Sequence, residues 1–504
     1  MVAVIHTVAL IGFDGALVAV ETDAKQGLPG IQIVGMGNKA VDEARERVRS
    51  AITNSLLPFP AKKLVINLAP AELPKDGAHF DLPIALSILV ASGQLKQTEV
   101  NNALFAGELG LDGTIRPIKG AINLAEIART SDNTRVFLPL QNAPQAGLVK
   151  GIEVFGVATL TELYLHLKGI NLLEPSTYSP PPLKQASSAV TLNDIHGQDQ
   201  AKRALTIAAA GRHNLLLHGP PGAGKTMLAK ALVGLLPPLS FDEQLQVTKL
   251  YSLAGEIQGS IVSDRPFRAP HHSASSLALI GGGARPRPGE ISLAHLGVLF
   301  LDEIPEYARS VLESLRGPLE DKIVSIARAG SRVTYPADFM LVATMNPCPC
   351  GYLGDPTHAC DCSPSQILSY QKKLSGPLLD RIDMVISVSK LPTTSLFIQN
   401  TLHKNQHYKV LREITSAREQ QKLRYKSSIL YNASLSSSQV KNYTRLTDNA
   451  RTFLVQAAER LQLSARSYFK VIKVARTIAD LAKHPTITPE HIAEALQFRT
   501  GLKT

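Results

Sequence analysis

The sequence lacks any apolar run that approaches the length of a membrane-spanning helix among its 504 residues. Its first residues also lack the basic region and apolar core that are typical of a secretory signal. Cysteine is scarce, and the four cysteines all lie between Cys348 and Cys362, which argues against a secreted disulfide scaffold. With 44% apolar and 19% charged residues, we expect a globular cytoplasmic protein of several domains without a membrane partner.

An apolar strand, a glycine-rich turn and an apolar helix follow one another between residues 213 and 238. The turn fits the pattern G-x-x-x-x-G-K-[ST] and consists of Gly219, Pro220, Pro221, Gly222, Ala223, Gly224, Lys225 and Thr226. In such a loop, backbone amides surround the phosphates, the lysine reaches the β- and γ-phosphates, and the hydroxyl binds Mg²⁺. The sequence therefore predicts a nucleoside triphosphate site in which Lys225 also takes part in catalysis.

A second apolar strand, residues 297–301, is followed directly by Asp302 and Glu303. Two acidic residues at the end of a buried strand beside a P-loop form the Walker B arrangement. We therefore predict that Asp302 holds Mg²⁺ through water, together with Thr226, and that Glu303 orients the attacking water.

The first 168 residues contain no nucleotide motif, and strand-like and helical segments alternate along them. The predicted strands are residues 8–13, 16–21, 31–34 and 64–68, and the predicted helices are residues 39–53, 82–91 and 121–128. Two loops, residues 74–81 and 107–118, resemble the Lon protease domain, which has an S5-like α+β fold and a Ser–Lys dyad. His79 and Ile122 stand at the dyad positions, so we expect a Lon-like fold without protease activity, with His79 and Lys119 structural or ligand-facing.

Composition divides the chain further. A Pro- and Ser-rich stretch within residues 171–190 predicts a linker between a domain at 1–170 and an ATPase domain at 191–392. Residues 393–504 are expected to form a helical lid with helices at 440–461, 467–482 and 489–496. From residue 401 onward there are 18 Lys and Arg against 7 Asp and Glu, so this segment carries the whole net charge of +11. Either a polyanion partner or a solvated helical surface explains that surplus.

The order of these motifs resembles the AAA+ ATPases, which implies an α/β P-loop domain that binds ATP and works as a ring. The resemblance implies that residues 193–198 contact adenine and that Asn346, after the strand at 339–345, is the sensor-1 residue that helps place the water. Arg381, within residues 375–383, matches the arginine finger that reaches a neighbouring subunit's γ-phosphate. Arg466, within residues 463–468, matches the sensor-2 arginine of the lid.

Three more stretches narrow the resemblance. Residues 265–275 and 281–295 look like the helix-2 insertion of magnesium-chelatase-type AAA+ proteins, and alternation over residues 322–335 predicts a β-hairpin before sensor 1. Taken with the Lon-like domain, the chain resembles the ComM/YifB family of magnesium-chelatase-like AAA+ ATPases over nearly its whole length. The resemblance implies a homo-hexameric helicase that drives branch migration in homologous recombination during natural transformation. Single-stranded or branched DNA, and recombination proteins, are then the expected partners.

The hairpin carries Lys322, Arg328 and Arg332, which we expect to contact DNA in the pore, with Gly330 allowing the turn. Alternatively these cations pair with Glu320 and Asp321 as surface salt bridges. Two other functions stay open: a chelatase motor that remodels a protein partner during magnesium insertion, and a regulated protease or unfoldase, which His79 and Ile122 disfavour.

The four cysteines form two close pairs directly after sensor 1. Cys348, Cys350, Cys360 and Cys362 could supply four thiolates for a structural Zn²⁺ ion, and His358 could replace one of them. The alternative is four reduced thiols without metal, since the C-x-C spacing is tighter than in most zinc sites.

Overall fold

The computed structural model describes residues 2–35, 39–131, 133–176, 190–257, 261–283, 286–328, 331–355, 358–390 and 405–499. Most of the predicted linker, the turn at Gly330 and the side chain of Arg328 lie outside this part of the chain. No helix in the described ranges is long and apolar enough to cross a bilayer. The predicted domain boundaries at residues 170 and 392 stay predictions.

The N-terminal unit, residues 2–176, is built on a seven-stranded mixed sheet of order β3-β4-β2-β1-β5-β8-β9. Its strands, including a separate two-stranded β6–β7 ribbon, are β1 Ala3–Ile11, β2 Asp14–Lys25, β3 Gly30–Val34, β4 Lys63–Ala69, β5 Ala103–Phe105, β6 Glu108–Leu109, β7 Ile115–Arg116, β8 Arg135–Pro139 and β9 Glu153–Val157. Its helices are α1 Lys39–Asn54, α2 Asp81–Ala91, α3 Gln97–Val100, α4 Ala121–Thr130, α5 Ala143–Ala146 and α6 Leu160–Leu167.

His79 and Ile122, the residues at the positions of the Ser–Lys dyad, are both buried in the first unit. His79 is buried, and its Nε2 lies 2.9 Å from the carbonyl oxygen of Val8. Ile122 lies in the core of α4. The structure thus gives His79 a structural contact, and the mixed α/β sheet agrees with the predicted fold class.

The ATPase unit, residues 190–390, contains a five-stranded parallel sheet of order β11-β14-β17-β10-β18. Its strands and accompanying short hairpins are β10 Leu215–His218, β11 Phe267–Arg268, β12 Gly281–Gly282, β13 Arg287–Pro288, β14 Val298–Leu301, β15 Ile323–Arg328, β16 Ser331–Pro336, β17 Met340–Met345 and β18 Met384–Ser387. Its helices are α7 Asp199–Gly211, α8 Lys225–Val233, α9 Phe241–Ala254, α10 Ser276–Ile280, α11 Glu290–Leu293, α12 Arg309–Ser314, α13 Arg316–Asp321, α14 Pro364–Gln371 and α15 Gly376–Leu379.

Strands β14 and β17 are buried along their whole length and are apolar except for Thr344, as expected for parallel strands covered on both faces. Because β10, β14 and β17 run parallel and adjacent, their carboxyl ends meet at one edge of the sheet. That edge is where nucleotides bind in open α/β sheets.

The C-terminal part is helical, as predicted, with helices α16 Gln406–Tyr425, α17 Ser437–Tyr443, α18 Asp448–Arg460, α19 Ala465–Leu481 and α20 Pro489–Gln497. The prediction of one helix over residues 440–461 was wrong. The chain breaks there because Thr447 caps a new helix, accepting a hydrogen bond from the Ala450 amide, while Leu446 bridges to Ile487. Helix α16 is long but weakly amphipathic, and its pattern did not predict it.

The N-terminal unit packs against the ATPase unit through α9. Lys249 of α9 pairs with Glu126 of α4, and its ammonium lies 4.2 Å from the ring centroid of Phe13. Phe13 follows β1 and joins a cluster formed by Leu250 and the hairpin residue Val333. The first unit therefore supports both α9 and the β15–β16 hairpin.

Candidate nucleotide site

The P-loop leaves β10 and enters α8 with backbone angles that favour glycine. Gly222 and Gly224 have φ values of +76° and +85°, and a methyl group added to either would meet no atom within 4 Å. Gly219 is needed for another reason, since a methyl group there would lie 2.0 Å from the carbonyl oxygen of Val388. The loop is thus closed on the side of β18 and open on the side where phosphates would bind.

Lys225 is buried at the centre of this loop, with 8% of its surface exposed. Its ammonium donates to the carbonyls of Gly219 (2.6 Å) and Pro220 (2.9 Å) and to Oδ1 of Asn346 (2.9 Å). Burial lowers the pKa of Lys225, and the nearby Asp302 and Glu303 act in the opposite direction. A buried ammonium that is hydrogen-bonded to neutral oxygens fits an anionic phosphate, so the residues present suit a nucleoside triphosphate.

The oxygens of Thr226 and Asp302 meet beside this lysine. The Thr226 hydroxyl lies 3.4 Å from Oδ2 of Asp302, while the Thr344 hydroxyl donates to Oδ1 of the same carboxylate. Hydroxyl and carboxylate oxygens are ligands that Mg²⁺ accepts, directly or through water. The predicted magnesium residues are therefore together.

Glu303 and Asn346 face each other across the ends of β14 and β17. Glu303 has a left-handed backbone with φ of +49°, and its amide donates to the Thr344 hydroxyl at 2.8 Å. The Asn346 amide nitrogen donates to Oε1 of Glu303 at 3.3 Å. Asn346 thus connects Lys225 to Glu303, and Thr344 holds Asp302 and the Glu303 backbone against β17. Sequence analysis did not single out Thr344, although a hydroxyl residue inside the otherwise apolar strand β17 is a signal that could have been noticed.

Sequence analysis did not single out His295, which connects the start of β14 to the start of β17; these strands lead to Glu303 and Asn346. It is 5% exposed and lies three residues before β14. Its Nδ1 accepts from the Asp338 amide (3.0 Å), which leaves Nε2 to donate to Oε1 of Gln246 (3.1 Å). Burial lowers the pKa of His295 to about 4, so the ring is neutral.

Arg381 and Arg466 meet at one carboxylate, that of Glu320. Arg466 donates to Oε1 of Glu320 at 2.6 Å, and Arg381 pairs with Oε2. Arg381 also donates to the carbonyls of Arg316 (3.0 Å) and Pro377 (2.8 Å). Within the described residues, no hydrogen bond joins either arginine to the P-loop. The lid arginine therefore lies with the predicted finger, and not on the nucleotide loop of its own chain.

These arginines line a cleft of about 660 Å³ between the ATPase unit and the lid. Its other cations are Arg212, Lys322, Lys470 and Lys473. Two lid cations pair with carboxylates of the same chain: Lys470 with the buried Asp383 of the ATPase unit at 2.7 Å, and Arg424 with Asp480 of the lid. Part of the basic surplus therefore lies in ion pairs within the chain, which neither interpretation from the sequence had considered.

The predicted hairpin is present as β15 and β16, paired from Ile323↔Pro336 to Arg328↔Ser331. Val324, Val333 and Tyr335 are buried on one face, while Arg332 is exposed on the other and donates to Ser325 at 3.4 Å. The prediction that Lys322 projects with the hairpin was wrong. Lys322 ends α13 with a φ of +60°, and its ammonium pairs with Asp338 at 3.3 Å and donates to the Ser434 hydroxyl of the lid at 3.2 Å.

The salt bridges that were considered for the hairpin are not the ones observed. Glu320 binds Arg381 and Arg466, and Lys322 binds Asp338. Arg332 stays exposed with a hydroxyl as its hydrogen-bond partner.

The four cysteines are unoxidised and come together. Their sulfur atoms all lie within 4.8 Å of one another, and Cys348 is 3.3 Å from Cys350 and 3.6 Å from Cys360. His358 instead stacks on the Tyr352 ring at 4.9 Å between centroids. The cluster could hold a metal ion with four thiolates.

Family models match three segments of the chain. Residues 191–396 match the model described as magnesium chelatase, subunit ChlI, and residues 405–499 match the model of its C-terminal part. Residues 20–142 match a further model described as subunit ChlI of Mg-chelatase.

Individual relatives extend over the whole chain. Competence protein ComM of Haemophilus influenzae is 44% identical over 510 residues, which cover 99% of this chain and 98% of the relative. The uncharacterized protein YifB of Escherichia coli K12 is 42% identical over 501 residues, covering 99% and 97%. The magnesium-chelatase 67 kDa subunit of Chlorobaculum parvum is 29% identical over 163 residues, covering 31% of this chain and 23% of that protein. The chain therefore belongs to the ComM/YifB family of magnesium-chelatase-like AAA+ ATPases.

Proposed function

We propose that the chain forms a homo-hexameric ring that uses ATP to move DNA and promotes branch migration during natural transformation. The Haemophilus relative is named a competence protein, which associates that protein with transformation. The observation that carries the proposal is the hairpin. It leaves Arg332 exposed, and β17, which follows it, ends one residue before Asn346 at the nucleotide site.

ATP hydrolysis follows from the arrangement around Lys225. The P-loop amides and Lys225 bind the phosphates, and Thr226 and Asp302 would hold Mg²⁺, which neutralises phosphate charge when bound. Glu303 accepts from Asn346 and would orient the attacking water toward the γ-phosphate. Each group lies at the carboxyl edge of the parallel sheet, where β17 ends directly before Asn346.

The active site would be shared between subunits. Arg381 and Arg466 both donate to Glu320, so the two guanidinium groups can bind one anionic group together. In a ring, the anionic group would be the γ-phosphate of ATP bound to the neighbouring subunit. Glu320 would pair with Arg381 and Arg466 until that subunit binds ATP. We propose that Arg381 acts as the finger and that Arg466 acts beside it across the subunit boundary.

A structural zinc ion is the proposed occupant of the cysteine cluster. Four sulfurs bound to zinc at ~2.3 Å lie ~3.8 Å apart in a tetrahedron. The sulfur separations of 3.3 and 3.6 Å are close to that value. The ion would contribute no chemistry to ATP hydrolysis and would hold the loop in place.

The proposed DNA contact is tested by changing Arg328→Ala and Arg332→Ala together, with Arg328→Lys and Arg332→Lys as the control that keeps the charge. We expect the alanine variant to keep its basal ATPase activity and assembly and to lose stimulation by single-stranded and branched DNA. The slope of log affinity against log salt should fall by about 0.7–0.9 for each lost phosphate contact. DNA stimulation equal to that of the unchanged protein in the alanine variant would exclude the hairpin as the DNA contact.

A chelatase motor is the second candidate, because residues 191–396 match the model of the chelatase subunit ChlI. That function predicts stimulation of the ATPase by a porphyrin-handling protein partner and no response to DNA. ATPase assays with single-stranded, duplex and four-way-junction DNA therefore separate the two candidates.

A further inference from the structure

We propose that the cysteine loop, residues 347–363, is a metal-dependent support for the P-loop and that it acts on ATP binding through the contact of Gly351 with Pro221. This inference rests on the proposed ATP and zinc sites and assigns the metal a positioning role at the nucleotide. The loop begins directly after Asn346 and ends at Ser363, which caps α14.

The loop is organised around Cys348. The Gly351 amide donates to the Cys348 carbonyl at 3.0 Å, and the Leu353 amide donates to the Cys348 sulfur at 3.3 Å. The described residues of the loop form no helix or strand. Its conformation therefore depends on these short contacts and on the clustered sulfur atoms, which a metal ion would bind as thiolates and hold together.

The turn that Cys348 stabilises contacts the P-loop at Pro221. A methyl group on Gly351 would lie 2.8 Å from Cδ and 3.2 Å from Cγ of Pro221. Gly351 also has a φ of +85°, so both its conformation and its contact favour glycine. Pro221 stands within the P-loop, between the carbonyl of Pro220 that binds Lys225 and the open backbone of Gly222.

A second connection holds the far side of the loop. The Asp355 side chain is buried and pairs with Lys390 at 2.6 Å. Lys390 lies two residues after Val388, and the Val388 carbonyl packs closely on Gly219 at the start of the P-loop. The cysteine loop therefore contacts Pro221 directly and is tied to the segment that packs on Gly219, while its first residue follows Asn346. Loss of the metal would loosen all three points at once.

A matched pair of substitutions tests the contact. Gly351→Ala adds a methyl group against Pro221, whereas Gly354→Ala adds one in the same loop at a similar φ of +78° with no atom within 4 Å. Both variants carry the same backbone strain. We expect Gly351→Ala to weaken binding of a fluorescent ATP analogue about tenfold, since overpacking acts on this scale, and Gly354→Ala to bind like the unchanged chain.

A double change sharpens this result. Pro221→Ala removes the ring atoms that the new methyl group meets, so Gly351→Ala combined with Pro221→Ala should bind no more weakly than Pro221→Ala alone. Equal weakening in both glycine variants, or no weakening in either, would overturn the proposed contact. So would fully additive effects in the double variant.

Metal analysis of the untagged full chain separates this inference from the zinc proposal. Metal content is measured for the unchanged chain and both glycine variants, and the metal is then removed from the unchanged chain with a chelator. We expect about one zinc per chain, and weaker binding of the ATP analogue after its removal. Zinc that is present but can be removed without any change in ATP binding would overturn the positioning role while leaving the zinc site intact. If no metal is found, the zinc site and its positioning role are both wrong, whereas the glycine pair still tests the contact.

Discussion

Acidification should destabilise the ATPase unit through His295. The folded chain lowers the pKa of this ring to about 4 by burying it, whereas an unfolded histidine titrates near ~6.5. Since the folded-state pKa is the lower one, the unfolded chain takes up the proton first as pH falls. Stability is therefore fully present above pH ~6.5 and is lost between ~6.5 and ~4.

The structure explains why protonation is costly. Nδ1 already accepts the Asp338 amide at 3.0 Å, so a proton on Nδ1 would face an N–H donor. The negative charge of Asp338 favours the protonated ring, and the guanidinium of Arg212 opposes it. From the two pKa values, the loss between pH 7 and pH 5 is ~2 kcal/mol.

The test compares the unchanged chain with His295→Asn, whose Oδ1 can still accept the Asp338 amide but does not titrate. Urea unfolding followed by circular dichroism at pH 7 and pH 5 gives the free energy of unfolding of each protein. Other buried histidines titrate in both proteins, so only the difference between the two is diagnostic. We expect His295→Asn to lose ~2 kcal/mol less on acidification. Equal pH dependence in the two proteins would refute the role of His295.

The remaining predictions concern the nucleotide site and the metal. Lys225→Ala should abolish ATP binding, whereas Glu303→Gln should bind ATP and hydrolyse it at least about a hundredfold more slowly, as expected for loss of general-base assistance. Binding and turnover assays check both variants. Normal hydrolysis by Glu303→Gln would contradict the assignment of the water-orienting acid. Changing Cys348 and Cys360 together to Ser should remove the bound zinc, which metal analysis of untagged protein measures, and zinc retained by that variant would move the site elsewhere.

The nucleotide site could be predicted from sequence because its parts are local patterns. Lys225 and Thr226 belong to one loop, and Asp302 and Glu303 end one apolar strand. Adjacent parallel strands then bring these groups together at the sheet edge. The apolar strand that precedes Asn346 likewise required no knowledge of distant contacts.

The contacts that depend on distant parts of the chain could not be predicted. Glu320 is 146 residues from Arg466, and the sequence offered only near neighbours as its partners. The same holds for Asp383 and Lys470, which join the sheet to the lid. Lys322 was misassigned because the alternating pattern does not reveal the left-handed turn that separates it from the strand.

The contact between the cysteine loop and the P-loop was also beyond sequence analysis. The spacing of the cysteines predicted their clustering, but nothing in it pointed to Pro221. That relation appears only when the close approach of Gly351 is seen in three dimensions.

The central claim, an ATPase site completed by the neighbouring subunit, is tested most directly by mixing two inactive variants. Arg381→Ala keeps an intact P-loop, and Lys225→Ala keeps an intact finger. When the two variants are mixed one to one and assemble at random, about a quarter of the subunit interfaces should combine an intact P-loop with an intact finger. Lys225→Ala mixed with Glu303→Gln is the control, because both changes damage the same pocket and no interface is complete. We predict that only the first mixture regains ATP hydrolysis. Co-assembled rings of Arg381→Ala and Lys225→Ala that remain inactive would contradict the shared site.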